Sequence, residues 1–146
     1  PFFRPEISPP VKLDTPILKG NKSFEAWNEA NTTIRACVEG QFINMKLRTK
    51  WMQLQHEVIY LTGGASKNNA IAQVVADVFH AHVQRLFISG SVALGAALRA
   101  ASNTFSLSLN QLEEQFCLPE PDSIVRPKAS KDTYRGADRI FSDLLQ

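Results

Sequence analysis

The chain has 146 residues and is 44% hydrophobic, enough for the core of one domain, and its 16 Lys and Arg against 14 Asp and Glu leave a formal charge of +2. That balance, with no dense basic block and no RNA-binding signature, argues against nucleic acid as a partner. No apolar run reaches the about 20 residues of a membrane helix, so no membrane partner is expected, and Cys37 and Cys117, with neither CxxC nor zinc spacing, point to a reduced, cytoplasmic setting.

Pro1, Pro5, Pro9, Pro10 and Pro16 remove backbone donors and restrict their neighbours, so residues 1–22 are expected as an extended connector. The opening PFFRPEISPPV does not read as a natural start, and the chain is expected to be a piece of a longer protein. From Ser23, a possible N-cap, apolar residues recur at Phe24, Trp27, Ile34, Val38, Phe42 and Met45, which predicts one long helix or two in sequence to about Trp51. Gly40 costs that helix about 1 kcal/mol relative to alanine and suggests a close contact. EVIYL then fits a strand buried on both faces, as in parallel sheets.

Next comes LTGGASKNNA, with Ser66 as the expected cap of a helix whose stripe is Ile71, Val74, Val75, Val78 and Phe79. VQRLFI reads as a second strand, and the helix from Ser91 to about Ala101 is apolar and small nearly all round, as for a buried helix. Strand, turn, helix, strand, helix predicts a right-handed parallel crossover, an α/β architecture. LSLNQLEEQF is a short helix, PEPDSIVRPKAS a loop, and KDTYRGADRIFSDLLQ a terminal helix with Tyr134, Ile140, Phe141 and Leu144 toward the core.

Gly63 and Gly64 stand where open α/β sheets bind ligands, after the carboxyl end of a strand and before a helix amino terminus. Missing side chains let a backbone approach a phosphate or ribose, and free amides at a helix start favour anions; a tight turn with no ligand is the competing explanation. The lysine of TGGASKNN is not preceded by glycine, so the segment is no P-loop, and no GxGxxG is present. The short amide of Asn68 can donate and accept toward a base or ribose, or simply face water. His80 and His82 lack an acidic partner for a metal site, and Lys46, Arg48 and Lys50 spread around their helix as a solvated surface. Asp77 fits a cap or ion pair better than a base, and neither GxSxG nor HExxH is present.

The run IYLTGGASKNNAIAQVVADVFHAHV, followed by SVALGAALRAA and preceded by NTTIRACVEGQF, resembles the carboxyl-terminal region of the FGGY family of carbohydrate kinases over about residues 1 to 101. The resemblance implies the ribonuclease-H-like fold of the actin and hexokinase superfamily, with residues 23–146 forming the carboxyl-terminal, nucleotide-binding part of its second domain. It implies transfer of the γ-phosphoryl group of ATP, with Mg2+, to a sugar hydroxyl. VEGQ and TGGAS lean toward members acting on D-xylulose; glycerol, ribulose or gluconate as acceptor, or a silent interaction module, remain alternatives.

By that resemblance Gly63 and Gly64 lie against the ribose and α-phosphate, with Ala65 and Ser66 beside them, and Asn68 contacts adenine. The helix with Arg35, Glu39 and Gly40 resembles the other wall of the adenine pocket, and Gly95 belongs to a packing segment. His80 and His82 stand where the family usually has Gly and then Pro. The catalytic aspartate, the sugar-binding residues and the first phosphate turn are absent from this chain, so alone it is expected to be inactive, to bind nucleotide weakly and to self-associate through surface its missing partner would cover.

Overall fold

The computed structural model describes residues 29–53 and 57–143. The connector over residues 1–22, the Ser23 cap, Phe24, Trp27 and Leu144 lie outside the described residues. The chain divides into two compact units, one of residues up to 54 together with those from 131 onward, the other of residues 55–130.

In the first unit α1 spans Ala30–Thr49, with Glu29 in its N-cap position, and runs on as a 3-10 turn, Lys50–Met52, so the helix expected from Ser23 to about Trp51 is present from Ala30. Gln53 ends it in the left-handed region at φ 51°. Arg35 and Glu39, one turn apart, form an ion pair on its surface, and Lys46 and Arg48 in its last turn suit the negative end of the helix dipole. Gly40 is the buried residue of α1, whereas Ile34 and Met45, placed on its apolar stripe by spacing, are exposed.

The last helix, α5, Ala137–Asp143, packs on α1. It is shorter than the run from Lys131 suggests because Gly136 adopts φ 77°. That left-handed residue interrupts the helical path, and turns occupy residues 131–136. Phe141 is buried and Tyr134 half-buried as expected, but Ile140 is 65% exposed. Adjacent helical side chains diverge by about 100° on a period of 3.6, so a short helix on one neighbour buries only one of the two.

In the second unit β1, Val58–Leu61, and β2, His82–Arg85, pair in parallel with Ile59 opposite Val83 and Leu61 opposite Arg85. Between them lies α2, Asn69–Phe79. The parallel strand, turn, helix and strand expected from the sequence are therefore present, in a mixed arrangement of helices around a small sheet. Beyond β2 the loop 119–130 adds antiparallel bridges: Val83 exchanges two backbone hydrogen bonds with Val125, at 2.9 and 2.8 Å, and Leu86 pairs with Pro119.

With neighbours on both edges and α2 packed against it, β2 is central, and Val83 is fully buried. Val58 and Tyr60, two apart and so on one face of β1, are exposed, and among the described residues that face is not covered, contrary to a strand buried on both faces. Buried α2 residues are Ala72, Val74, Val75, Ala76, Asp77 and Val78, a wider face than the expected stripe.

Two further helices, α3, Ser91–Phe105, and α4, Leu109–Phe116, pack together, joined through left-handed Ser106, and each buries one leucine, Leu98 and Leu112. The expectation of a buried α3 fails. Ser91, Leu94, Ala101 and Ser102 are half-buried beside Leu98, while the rest of its surface is exposed among the described residues, Val92 to 88%.

Candidate functional site

The carboxyl end of β1 delivers the chain into Thr62 and Gly63. Gly63 has φ 81° and ψ −178°, a conformation that side chains resist, so the first glycine is required by the backbone itself. Its amide donates to the Ser89 carbonyl at 3.0 Å, and the hydroxyls of Thr62 and Ser91 lie 3.0 Å apart, which fixes the turn against the segment after β2.

A single 3-10 turn, Gly64–Lys67, follows. Ser66 is buried in it, donating its hydroxyl to the Gly63 carbonyl at 2.7 Å while its amide reaches the same oxygen at 3.2 Å. Ser66 therefore braces the turn from within. The cap of α2 is Asn68 rather than Ser66: its Oδ1 accepts from the Ala70 and Ile71 amides at 2.9 and 3.3 Å. The intervening 3-10 turn moves the helix start past the serine.

Gly64, Ala65 and Asn68 are exposed, and Gly63 is half-buried. Gly64 differs from its neighbour in kind. Its φ is not left-handed, and a Cβ built on it meets nothing within 4 Å. Neither backbone conformation nor packing among the described residues demands glycine there. The first free amides of α2 are taken by Asn68, so a ligand anion would find its open donors one turn earlier, at Gly64 and Ala65, whose amides have no partner among the described residues.

Sequence reasoning missed Arg85, which ends β2 in register with Leu61. Its guanidinium donates to Glu120 Oε2 at 3.0 Å and to Asn69 Oδ1 at 3.2 Å, and its amide donates to Ser123 Oγ at 2.9 Å. Arg85 thus ties the start of α2 to the loop 119–130. An arginine closing an apolar strand is the signal that could have flagged it.

Asp77, buried in α2, accepts on Oδ1 from Gln73 Nε2 and from the amides of Lys128 and Ala129, at 3.0, 2.7 and 3.1 Å. It anchors a loop, in keeping with the capping role expected of it. His80 is the left-handed residue after α2 at φ 51°, and His82 opens β2; both are exposed. Among the described residues no group of three or more His, Cys, Asp or Glu is placed to hold a metal ion. Cys37 and Cys117 are free thiols.

In the first unit, Arg35, Glu39 and Tyr134 form a network. Tyr134 donates its hydroxyl to Glu39 Oε1 at 2.7 Å, and Arg35 donates Nε to the same oxygen at 2.6 Å and Nη2 to the Tyr134 hydroxyl at 3.4 Å. The hydrogen bond to Glu39, then that to Tyr134, raises Arg35 above its ordinary range. Burial raises the Tyr134 phenol above its usual value, with the Glu39 carboxylate adding to the shift.

A parallel strand, a glycine turn and a helix capped beside open backbone donors make up the arrangement at which open α/β sheets hold their ligands. Residues 21–104 match the C-terminal domain of the FGGY family of carbohydrate kinases, and the chain belongs to that family. It is 36% identical over 144 residues to xylulose kinase of Mus musculus and 37% identical over 144 residues to that of Rattus norvegicus, each match covering 90% of this chain. A probable D-xylulose kinase A of Aspergillus flavus is 34% identical over 117 residues, 68% of this chain. The chain spans 24%, 25% and 20% of the lengths of these three relatives.

Proposed function

We propose that this chain supplies the adenosine side of the ATP site in a carbohydrate kinase that transfers the γ-phosphoryl group to a hydroxyl of D-xylulose. Residues 23–146 then form the nucleotide-binding end of a ribonuclease-H-like second domain, and residues 1–22 its connector. The observation that carries this reading is Gly64. The described residues give no internal reason for a glycine there, and an approaching ligand does.

The residues present fit a nucleotide. The open amides of Gly64 and Ala65 suit a phosphate or ribose oxygen, the exposed amide of Asn68 suits the base, and buried Ser66 holds the turn rigid. Bound ATP supplies the phosphoryl group. Mg2+ would be carried on its phosphates, as it commonly takes only one or two carboxylates beside several phosphate or water oxygens.

In the reaction a bond forms between the sugar oxygen and the γ-phosphorus as the bond to the β-γ bridging oxygen breaks, and the hydroxyl proton passes to a base. This chain positions the leaving nucleotide; the base and the sugar contacts belong to the remainder of the protein, and the location is cytoplasmic. Among the described residues no helix is long and apolar enough to cross a membrane.

A kinase assay of the full-length protein with ATP and D-xylulose, D-ribulose, glycerol and gluconate tests the reading. Release of ADP dependent on D-xylulose is expected. Turnover with another acceptor alone would move the substrate, and turnover with none would favour a non-catalytic interaction module.

A further inference from the structure

Arg85 closes β2 in register with Leu61, the last residue of β1 before the glycine turn. The loop 119–130 holds it in one orientation. The Arg85 amide donates to Ser123 Oγ at 2.9 Å, its carbonyl accepts from the Glu120 amide at 2.8 Å, and its Nε donates to Glu120 Oε2 at 3.0 Å. Glu120 is itself fixed, because its carbonyl accepts from Gln84 Nε2 at 3.1 Å and from Ser123 Oγ at 2.6 Å. A planar guanidinium gripped on one side aims its other donors in set directions, and Nη1 meets Asn69 Oδ1 at 3.2 Å.

Asn69 is the first residue of α2 and follows the cap Asn68. The segment from Gly63 to Asn69, which carries the open amides of Gly64 and Ala65, is thus tied at both ends to β2 and its continuation. At one end the Gly63 amide donates to the Ser89 carbonyl at 3.0 Å, and at the other Asn69 accepts from Arg85. Resting on the nucleotide site proposed above, we infer that Arg85 is a positioning residue for ATP, which through Asn69 holds the start of α2 and the glycine turn in the arrangement that binds the nucleotide. Arg85 does this without touching the nucleotide. An arginine at a strand end could pair with a phosphate directly, but here Glu120 matches its charge, and Nε and Nη1 are already engaged.

When the hold is lost, the binding arrangement is one of several, and the apparent affinity falls by the fraction that remains competent. Contacts to the adenosine side change little during phosphoryl transfer, so the loss is one of uniform binding: the Michaelis constant for ATP rises and kcat at saturating ATP stays. The test uses the full-length protein, with ATP binding by calorimetry, turnover with D-xylulose and thermal melting, for wild type, Arg85→Met, Asn69→Ala, the double variant and Gly64→Val. Arg85→Met keeps the apolar stem and loses the donors. Asn69→Ala removes the acceptor alone, on an exposed first turn where alanine suits the helix, and leaves the pair of Arg85 with Glu120 in place.

Each single variant of the pair is expected to weaken ATP by about fivefold, the shift that one lost hydrogen bond gives to a two-state arrangement. The double variant should be no weaker, since both changes remove the same contact, and kcat at saturating ATP should match wild type in all three. Losses that multiply in the double variant would overturn the action through Asn69, and so would a fall in kcat with ATP affinity kept. Should Arg85→Met melt too low to assay, Asn69→Ala decides alone, and wild-type affinity there would overturn the inference. Wild-type affinity in Arg85→Met with loss in Gly64→Val would overturn this inference alone. Wild-type affinity in both would overturn it together with the nucleotide site.

Discussion

The Tyr134 hydroxyl donates to Glu39 Oε1 at 2.7 Å across a sequence separation of 95, joining the segment before α5 to the middle of α1. The same carboxylate oxygen accepts from Arg35, so two donor side chains share one acceptor. Tyr134→Phe is expected to lower stability by about 1 kcal/mol, the worth of one such bond, read by denaturant unfolding. Burial raises the Tyr134 phenol above its ordinary value of 10.0, so the folded state favours the protonated form. This contribution is complete below pH 10.0 and is lost as pH rises through the folded value. The fall in stability above that pH should be smaller in Tyr134→Phe.

Asp77 holds the loop 119–130 to α2 through two backbone amides. Asp77→Ala removes a buried charged acceptor and leaves both donors unpaired, at a cost of about 3 kcal/mol. Hydrogen exchange should show faster loss at Lys128 and Ala129 in the variant. Unchanged protection of those amides would show that the loop is held by other contacts.

His80 occupies a left-handed position at φ 51°, after which the Ala81 amide reaches back to the Ala76 carbonyl at 3.2 Å. Glycine enters that conformation freely, and other residues pay about 1 kcal/mol for it. His80→Gly is expected to raise stability by about that amount, measured by the denaturation midpoint. A lower midpoint would mean that the imidazole makes contacts outweighing the backbone term.

The order of elements was legible because short apolar runs and helical spacing are local signals, and the glycine pair punctuates them. Orientation was less so. α3 reads as buried because Val92, Ala93, Ala96, Ala97 and Ala100 are all small and apolar, yet composition cannot say which chain covers a face. The cap moved from Ser66 to Asn68 because both are good caps, and only the 3-10 turn decides between them. Arg85 with Glu120, and Tyr134 with Glu39, pair across long separations and leave no periodic trace.

The exposed face of α3, with Val92 88% exposed, gives a prediction for the chain expressed alone. It should self-associate, because apolar surface of that kind finds a partner. Light scattering should show a mass that grows with concentration, reduced in Val92→Glu. A monomer at all concentrations would contradict it.

The central claim is that the second glycine of TGGAS admits a nucleotide, and the Michaelis constant for ATP of the Gly64→Val protein tests it most directly. A Cβ at 64 meets nothing within 4 Å among the described residues, so the variant is expected to fold. Its constant should rise by about tenfold or more, the loss of at least one hydrogen bond with added steric exclusion, while Lys67→Ala stays within about twofold, as for a solvent-exposed charge. A wild-type constant in Gly64→Val would contradict the account.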